Sequence, residues 1–238
     1  MAVSTLTASR VEVDRLSYTY ADGHPALAEV SLTLAAGERL AILGGNGAGK
    51  STLLLCLTAA IRYRGSLLVD GIEVLRKPKE VRRRVGFVFQ NPGEMLFSPN
   101  CREEVAYGPL CQNRDEDEVA VEVERWLRWA RLDKKTDQPP FSLSYGEQRR
   151  LALAAVLACQ PSLLALDEPT AMLDPTARRE VITLLLDLPQ TLTVSTHDLD
   201  FARRVAPRAV VLHHGKLVYD GSTAKLLDSP NLSQWHLG

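Results

Sequence analysis

Nine consecutive residues, Gly44-Gly45-Asn46-Gly47-Ala48-Gly49-Lys50-Ser51-Thr52, carry the means to hold a polyphosphate. Glycine lets successive backbone N–H groups turn inward onto phosphate oxygens, and a helix starting where the loop ends adds its positive pole. In this G-x-x-x-x-G-K-S spacing Lys50 would reach the β- and γ-phosphates of a nucleotide, and the Ser51 hydroxyl would serve Mg²⁺; kinases, GTPases and motor ATPases share such a loop. A second chemical group lies far downstream, where the apolar run Ser162–Leu166 ends in Asp167 and Glu168, followed by Pro169. A buried strand that delivers Asp167 beside the loop lets it hold Mg²⁺ directly or through water. Its neighbour Glu168 is placed to orient or deprotonate an attacking water. The plainer reading of these carboxylates is an acidic turn after a strand, and the glycine loop upstream is what argues against it.

These groups need elements to position them. The apolar strand Arg39–Leu43 leads into the loop and the apolar helix Leu53–Leu57 leaves it, which is the context the motif requires. Before it, Val11–Val13 and Val30–Leu34 alternate with period two, and Asp22-Gly23 marks a turn between them. After it, residues 91–159 change character. Pro92, Pro99 and Pro109 are read as loop punctuation, and Glu116–Leu132 puts Val119, Val123, Trp126, Leu127 and Ala130 on one helical face. Strands return near Leu163, Thr191–Ser195, Ala209–His213 and Lys216–Tyr219. The expected fold is α/β: a RecA-like core with an N-terminal antiparallel β subdomain and an inserted α-helical subdomain. About 10–90 and 160–227 would form the ATP-binding core, and about 91–159 the helical part.

Several further segments fall in a fixed order. Leu143-Ser144-Tyr145-Gly146-Glu147-Gln148 opens an apolar helix and is a capping box, Ser144 at N-cap and Glu147 at N3. Gln90 ends the strand Val85–Phe89, Ala171-Met172-Leu173-Asp174 follows the carboxylate pair, and Ser195-Thr196-His197-Asp198 closes a later strand. With an aromatic at Tyr20, the chain over about residues 10–227 resembles the ATP-binding cassette (ABC) ATPases. The stretch Phe89–Pro99 followed by Glu103–Pro109 is similar to the ATPase subunits of energy-coupling-factor importers, particularly the cobalt/nickel branch.

The resemblance implies roles for particular residues. Ser144 and Gly146, with Glu147 in the same segment, would face the γ-phosphate held by a second ATPase subunit, so that a dimer, expected to be a homodimer, closes around two composite sites. Gln90 would join the Mg²⁺ shell and sense nucleotide at the hinge between lobes. His197 would hydrogen-bond the γ-phosphate, and Asp174 would act across the dimer interface, although Asp174-Pro175 also reads as a helix start. Tyr20 would stack on adenine, with Tyr18 on the same side as an open alternative. The common form of the signature has glycine at 145 and glutamine at 147, so Tyr145 and Glu147 are departures that bear on rate and affinity. Integral membrane transporter subunits are the implied partners. Residues 91–109, with Met95, Leu96 and Phe97 in a proline-bounded segment, are the expected docking surface, the alternative being that these apolar residues tuck onto the chain's own core.

Composition narrows the rest. With 28 basic and 29 acidic residues and a net charge of −1, the chain lacks the footprint of a nucleic-acid binder. No charged-then-apolar signal opens it and the apolar runs are too short for a bilayer, so it is expected at the cytoplasmic face of the membrane, peripherally. Cys56, Cys101, Cys111 and Cys159 show no C-x-x-C pairing, and Cys56 and Cys159 read as small buried hydrophobes. His213-His214 is a poor chelate, since strand neighbours face opposite ways. Arg82–Arg84 reads as a solvated helix face and Asp115–Glu118 as a helix-start cluster. The expected function is ATP-driven import of a small substrate, cobalt or nickel first and a vitamin such as biotin next. A soluble DNA-repair or translation member would need a coiled-coil insertion or a second cassette. A P-loop kinase or GTPase would lack the Ser144 segment and His197.

Overall fold

The computed structural model describes residues 8–237. It divides into two compact units. The first comprises residues up to Val85, Ser162–Glu168 and Pro189 onward; the second comprises Gly86–Pro161 and Pro169–Leu188.

In the first unit, strand β1 (Val11–Thr19) pairs antiparallel with β2 (Pro25–Leu34) on one side and β4 (Arg64–Val69) on the other. The short β5 (Ile72–Glu73) completes that sheet in the order β2-β1-β4-β5. Alternation is the signal of a sheet with one buried face, and Val11, Val13 and Leu16 of β1 are indeed buried with Val30, Leu32 and Leu34 of β2.

The second sheet reads differently. Strand β3 (Arg39–Leu43) lies parallel between β8 (Thr191–Thr196) and β9 (Arg208–His213), and β7 (Leu163–Asp167) is parallel to β8. Both faces are covered: Leu40, Ala41, Ile42 and Leu43 of the apolar β3 are each at most 2 % exposed, and β8 is buried throughout although its residues alternate between polar and apolar. The last strand, β10 (Lys216–Ser222), turns back antiparallel on β9. Helix α1 (Lys50–Leu57) follows β3, and the unit also holds α2 (Pro78–Arg82), α7 (Leu199–Val205) and α8 (Thr223–Leu227).

In the second unit most of β6 (Val85–Val88) leads into the helices α3 (Cys101–Cys111), α4 (Glu116–Trp129), α5 (Tyr145–Ala158) and α6 (Pro175–Leu186). Helix α4 starts at Asp115, whose side chain accepts from the N–H groups of Asp117 and Glu118, and it buries Val119, Val123, Trp126 and Leu127. Helix α5 is locked to its neighbours by Arg150, which donates to the Ala130 carbonyl at 2.9 Å and pairs with Glu180 of α6. Glu180 also takes Arg131 at 3.0 Å.

Three sequence expectations are corrected. Pro109 does not break a loop but lies in the last turn of α3, where the N–H it lacks costs one ladder bond near a helix end that is already short of partners. His213 and His214 do not face apart. Residues His214 and Gly215 both have positive φ, 47° and 73°, and form the tight hairpin turn between β9 and β10, so the two rings meet at 4.2 Å. Arg82–Arg84 is a solvated helix face only in part: Arg82 and Arg83 are exposed, but the helix ends at Arg82, whose side chain reaches back to the Thr58 and Ala59 carbonyls, and the half-buried Arg84 pairs with Asp70. Among the described residues no group of three or more His, Cys, Asp or Glu side chains is placed to hold a metal ion.

Candidate functional site

The phosphate loop is shaped by backbone contacts that only glycine permits. At Gly44, with φ 150°, a Cβ would lie 2.3 Å from the Leu212 carbonyl at the end of β9. At Gly49, with φ 104°, it would lie 2.3 Å from the Ala26 carbonyl of β2. The loop therefore passes closer to two strands than any side chain allows. Gly49 is also the N-cap of α1 and offers no side-chain cap, which leaves the first N–H groups of the helix turned toward an incoming anion. Asn46 and Gly47 are exposed, whereas Ala48 and Thr52 are buried and support the loop from below.

Lys50 is 7 % exposed. Its ammonium donates to the carbonyls of Gly44 at 2.8 Å and Gly45 at 3.1 Å, folded across the mouth of the loop. Burial draws this ammonium below the usual lysine range, and the Glu168 and Asp167 carboxylates offset part of that pull. Such a buried cation is set to trade two neutral carbonyls for phosphate oxygens.

Asp167 ends β7, and its Oδ1 accepts from Ser51 Oγ at 3.0 Å and closely from Ser195 Oγ of β8. A serine hydroxyl and a carboxylate side by side at the loop's end are hard oxygen donors, the type that suits Mg²⁺. The donor set thus fits the ion that the sequence implies. Glu168 follows in a left-handed conformation, φ 44°, with its N–H held by the Ser195 carbonyl at 3.1 Å. Its Oε1 lies 2.9 Å from His197 Nδ1 and 3.9 Å from Lys50 Nζ. The bend turns Glu168 away from Asp167 and toward the lysine and the histidine. Tyr20 joins the same unit: its hydroxyl meets Thr52 Oγ1 at 2.9 Å and its exposed ring stands edge-on to Tyr18 at 5.0 Å. Tyr18 is half-buried, whereas Tyr20 is exposed. The first unit thus gathers Tyr20, Gly44–Thr52, Asp167, Glu168 and His197.

The second unit gathers the others. Ser144 caps α5, its Oγ accepting from Glu147 N–H at 3.4 Å, while Glu147 Oε2 accepts from Ser144 N–H at 3.0 Å. Lys135 donates to Glu147 Oε1 at 2.7 Å. Partial burial raises the Glu147 carboxyl, and the Lys135 and Ser144 donors outweigh it, leaving a net shift downward. The extra negative charge at position 147 is thus already matched by a lysine. Gly146 packs so tightly that a Cβ there would sit 2.6 Å from Ala177 Cβ of α6. Asp174 caps α6, accepting from Thr176 N–H at 2.8 Å and Ala177 N–H at 3.0 Å, and those two donors lower its carboxyl below the usual range. Gln90 is exposed just beyond β6, and its carbonyl is gripped by Arg149 of α5.

Two residues that organise these groups carried no separate signal in the sequence. Ser195 sits inside a quoted motif, but its contact with Asp167 depends on the register of β8 against β7. Arg149 is fully buried in a helix otherwise read as apolar. An arginine at a core-facing helical position is the one hint that could have found it.

Comparison with known proteins follows the same lines. The ABC transporter family profile matches residues 27–171. The energy-coupling factor transporter ATP-binding protein EcfA of Methanothermobacter thermautotrophicus is 39 % identical over 229 residues, covering 93 % of this chain and 74 % of that protein. Among solved structures, CbiO1 from Clostridium perfringens, described as part of the ABC transporter complex CbiONQ, superposes with a TM-score of 0.84 at 32 % identity, over 94 % of this chain and 92 % of that one. The ATP-binding cassette MJ0796, solved as a dimer bound to ADP and Pi, gives 0.80 at 29 % identity, over 90 % of this chain and 98 % of the other.

Proposed function

This chain belongs to the ABC transporter family of ATP-binding proteins, and we propose that it is the ATP-hydrolysing subunit of an energy-coupling-factor importer whose cargo is cobalt or nickel. The observation that carries the hydrolytic reading is the first-unit cluster in which Ser51 and Asp167 share a hydrogen bond while Glu168 leans on Lys50 and His197. When bound, Mg²⁺ neutralises charge on the phosphates of ATP. The chain's own residues do the rest. Gly44–Gly49 and the start of α1 present N–H groups to the phosphates, and Lys50 leaves its two carbonyls to follow them. Ser51 and Asp167 supply oxygens for the ion. Tyr20 holds the base by its face. Glu168 accepts a proton from the attacking water, with His197 fixing the carboxylate through Nδ1.

The second-unit residues Ser144, Gly146, Glu147 and Asp174 complete the site of a partner copy, and Gln90 serves as the nucleotide sensor. The dimer of MJ0796 supports that assembly. Among the described residues no helix is long and apolar enough to cross a membrane, so the importer reading requires separate membrane subunits. The surface offered to them lies in residues 91–109, on the cytoplasmic side of the membrane. There Phe97, 62 % exposed, stands edge-on to Tyr107 at 4.8 Å. Its loop is pinned by the buried Glu104, which accepts from the N–H groups of Phe97 and Ser98 at 2.8 Å each. Leu96 beside it is buried, so the pinned loop turns one apolar side chain inward and holds the next one out. A rigid exposed aromatic pair suits an amphipathic helix of a membrane subunit.

Tagged protein purified from solubilised membranes is expected to bring integral membrane subunits with it, and Phe97→Ala is expected to reduce that yield at least several-fold. Because Phe97 is exposed, its truncation should cost well under the roughly 3 kcal/mol of a buried phenylalanine. Undiminished co-purification by Phe97→Ala would move the docking surface elsewhere. Cells carrying the transporter should accumulate labelled cobalt or nickel in an ATP-dependent way; accumulation of labelled biotin instead would assign it to the vitamin branch.

A further inference from the structure

Among the described residues Arg149 heads the fully buried side chains by size, and it lies on α5 a little over one turn beyond Ser144. Its Nη1 donates to the Phe89 carbonyl at 2.7 Å, and its Nη2 donates to the Gln90 carbonyl. Tyr145, four residues earlier on the same helix, faces the guanidinium with its ring centre 5.8 Å from Cζ. The Tyr145 hydroxyl also approaches the Gln90 carbonyl, at 3.4 Å.

A planar fork that grips two successive carbonyls fixes both peptide planes, and those planes fix the direction in which the Gln90 side chain leaves the backbone. Strand pairing does not do this work at Gln90, because β6 ends at Val88. The next N–H, that of Phe89, turns to the thioether of Met95 at 3.3 Å. A buried guanidinium is costly to install, and ending a strand does not require one. Its geometry does link two particular segments: the residue expected to sense nucleotide, and the helix expected to touch the γ-phosphate of a partner.

We infer that Arg149, covered by Tyr145, is a positioning residue that ties Gln90 to the signature helix, so that the glutamine travels with Ser144 and Gly146 as one piece. The inference rests on the reading of Gln90 as the nucleotide sensor given above. It also assigns a purpose to Tyr145, which departs from the glycine usual at that place: its ring shields the guanidinium, which glycine could not do.

The test compares Arg149→Met, Arg149→Lys, Tyr145→Phe and Gln90→Ala in the full chain. In nucleotide-free protein, amide hydrogen exchange over residues 87–91 should rise about tenfold in Arg149→Met and less in Tyr145→Phe, with α3 and α4 unchanged. A residue that only packs the core would instead speed exchange throughout the helical unit, and that result overturns the inference. In ATPase assays Arg149→Met should raise the Mg²⁺ concentration needed for half-maximal turnover and lower kcat, and Arg149→Lys should recover part of both. Added to Gln90→Ala, Arg149→Met should cost less than about twofold further, because the sensor it positions is already gone. Effects that multiply in the double variant overturn the link. Should Arg149→Met not fold, Arg149→Lys and Tyr145→Phe carry the same cycle. If Gln90→Ala alone leaves turnover and Mg²⁺ dependence unchanged, the sensor reading falls, an outcome separate from failure of the link.

Discussion

At Glu168 three constraints meet: a left-handed backbone, near-complete burial, and contacts to both Lys50 and His197. A non-glycine residue held in that conformation stores strain of about 1–3 kcal/mol and persists only where its surroundings over-determine it. Here they do so from two sides, since Ser195 fixes the N–H of Glu168 while His197 fixes its carboxylate. The bend separates the duties of two adjacent acids, sending Asp167 to Ser51 and Glu168 to the lysine and histidine. Glu168→Gln keeps the shape and removes the base. ATP affinity, read by equilibrium binding, should stay within a few-fold, while turnover should fall by about 10²-fold or more. The closed dimer should then accumulate in sizing experiments with ATP. Near-normal hydrolysis would remove Glu168 from the mechanism.

At the scale of elements, α5 is the part in which local rules and site geometry coincide. Its first turn is stabilised by the Ser144–Glu147 box, and Lys135 adds a partner that an isolated helix would not have. Glu147→Gln should preserve the box, since glutamine also serves at N3, but lose the ion pair. The folded-state carboxyl of Glu147 is held below its ordinary value. Its contribution is therefore complete above the usual glutamate range, near about 4.3, and is lost as pH falls through the lower folded value. Lys135 is partly exposed, so the contribution is under about 1 kcal/mol. Thermal melts should show the wild type slightly more stable at neutral pH and the gap closing on acidification below that range. A gap that stays constant or widens in acid would mean that Lys135 does not stabilise this cap. Helix α3 shows the opposite case: Pro109 and Gly108 look like a helix stop, yet Asn100 caps the start and buried Cys101, Glu104 and Val105 carry the helix past them.

At the scale of the molecule, the site residues fall into two sets, each compact within its own unit. The proposal that they combine across two copies is open to a mixing experiment. Ser144→Arg disables the signature of one chain, and Lys50→Ala disables the loop of the other, so each alone should be inactive. Mixed under conditions of subunit exchange, they form heterodimers with one site built from an intact loop and an intact signature. Such mixtures should regain ATPase activity that neither parent has. Mixtures as inactive as their parents, with exchange shown independently, would dismiss sites shared between chains that act singly.

The sequence by itself determined everything that depends on residue type at fixed local spacing. The glycine loop and its Lys50-Ser51, the Ser144 box, the Asp174 cap and the period of α4 are all local, since hydrogen bonds and side-chain direction within a few residues decide them. Strands β3, β7 and β9 were legible for a related reason, since burial on both faces favours an apolar run, whereas β8 alternates polar and apolar residues and is buried all the same. What tertiary structure decided is whatever depends on register and on distant partners. Ser195 reaches Asp167 only because β7 and β8 pair in step. Glycine is required at Gly44 and Gly49 because strands far off in sequence press on them. His213 and His214 share a side because a tight turn, not a strand, holds the second. Arg149 could be read as one more helix charge until a pair of carbonyls sixty residues away was brought to its fork. Local chemistry fixes what a segment can do; which partner it meets is settled only when non-local surfaces are buried together.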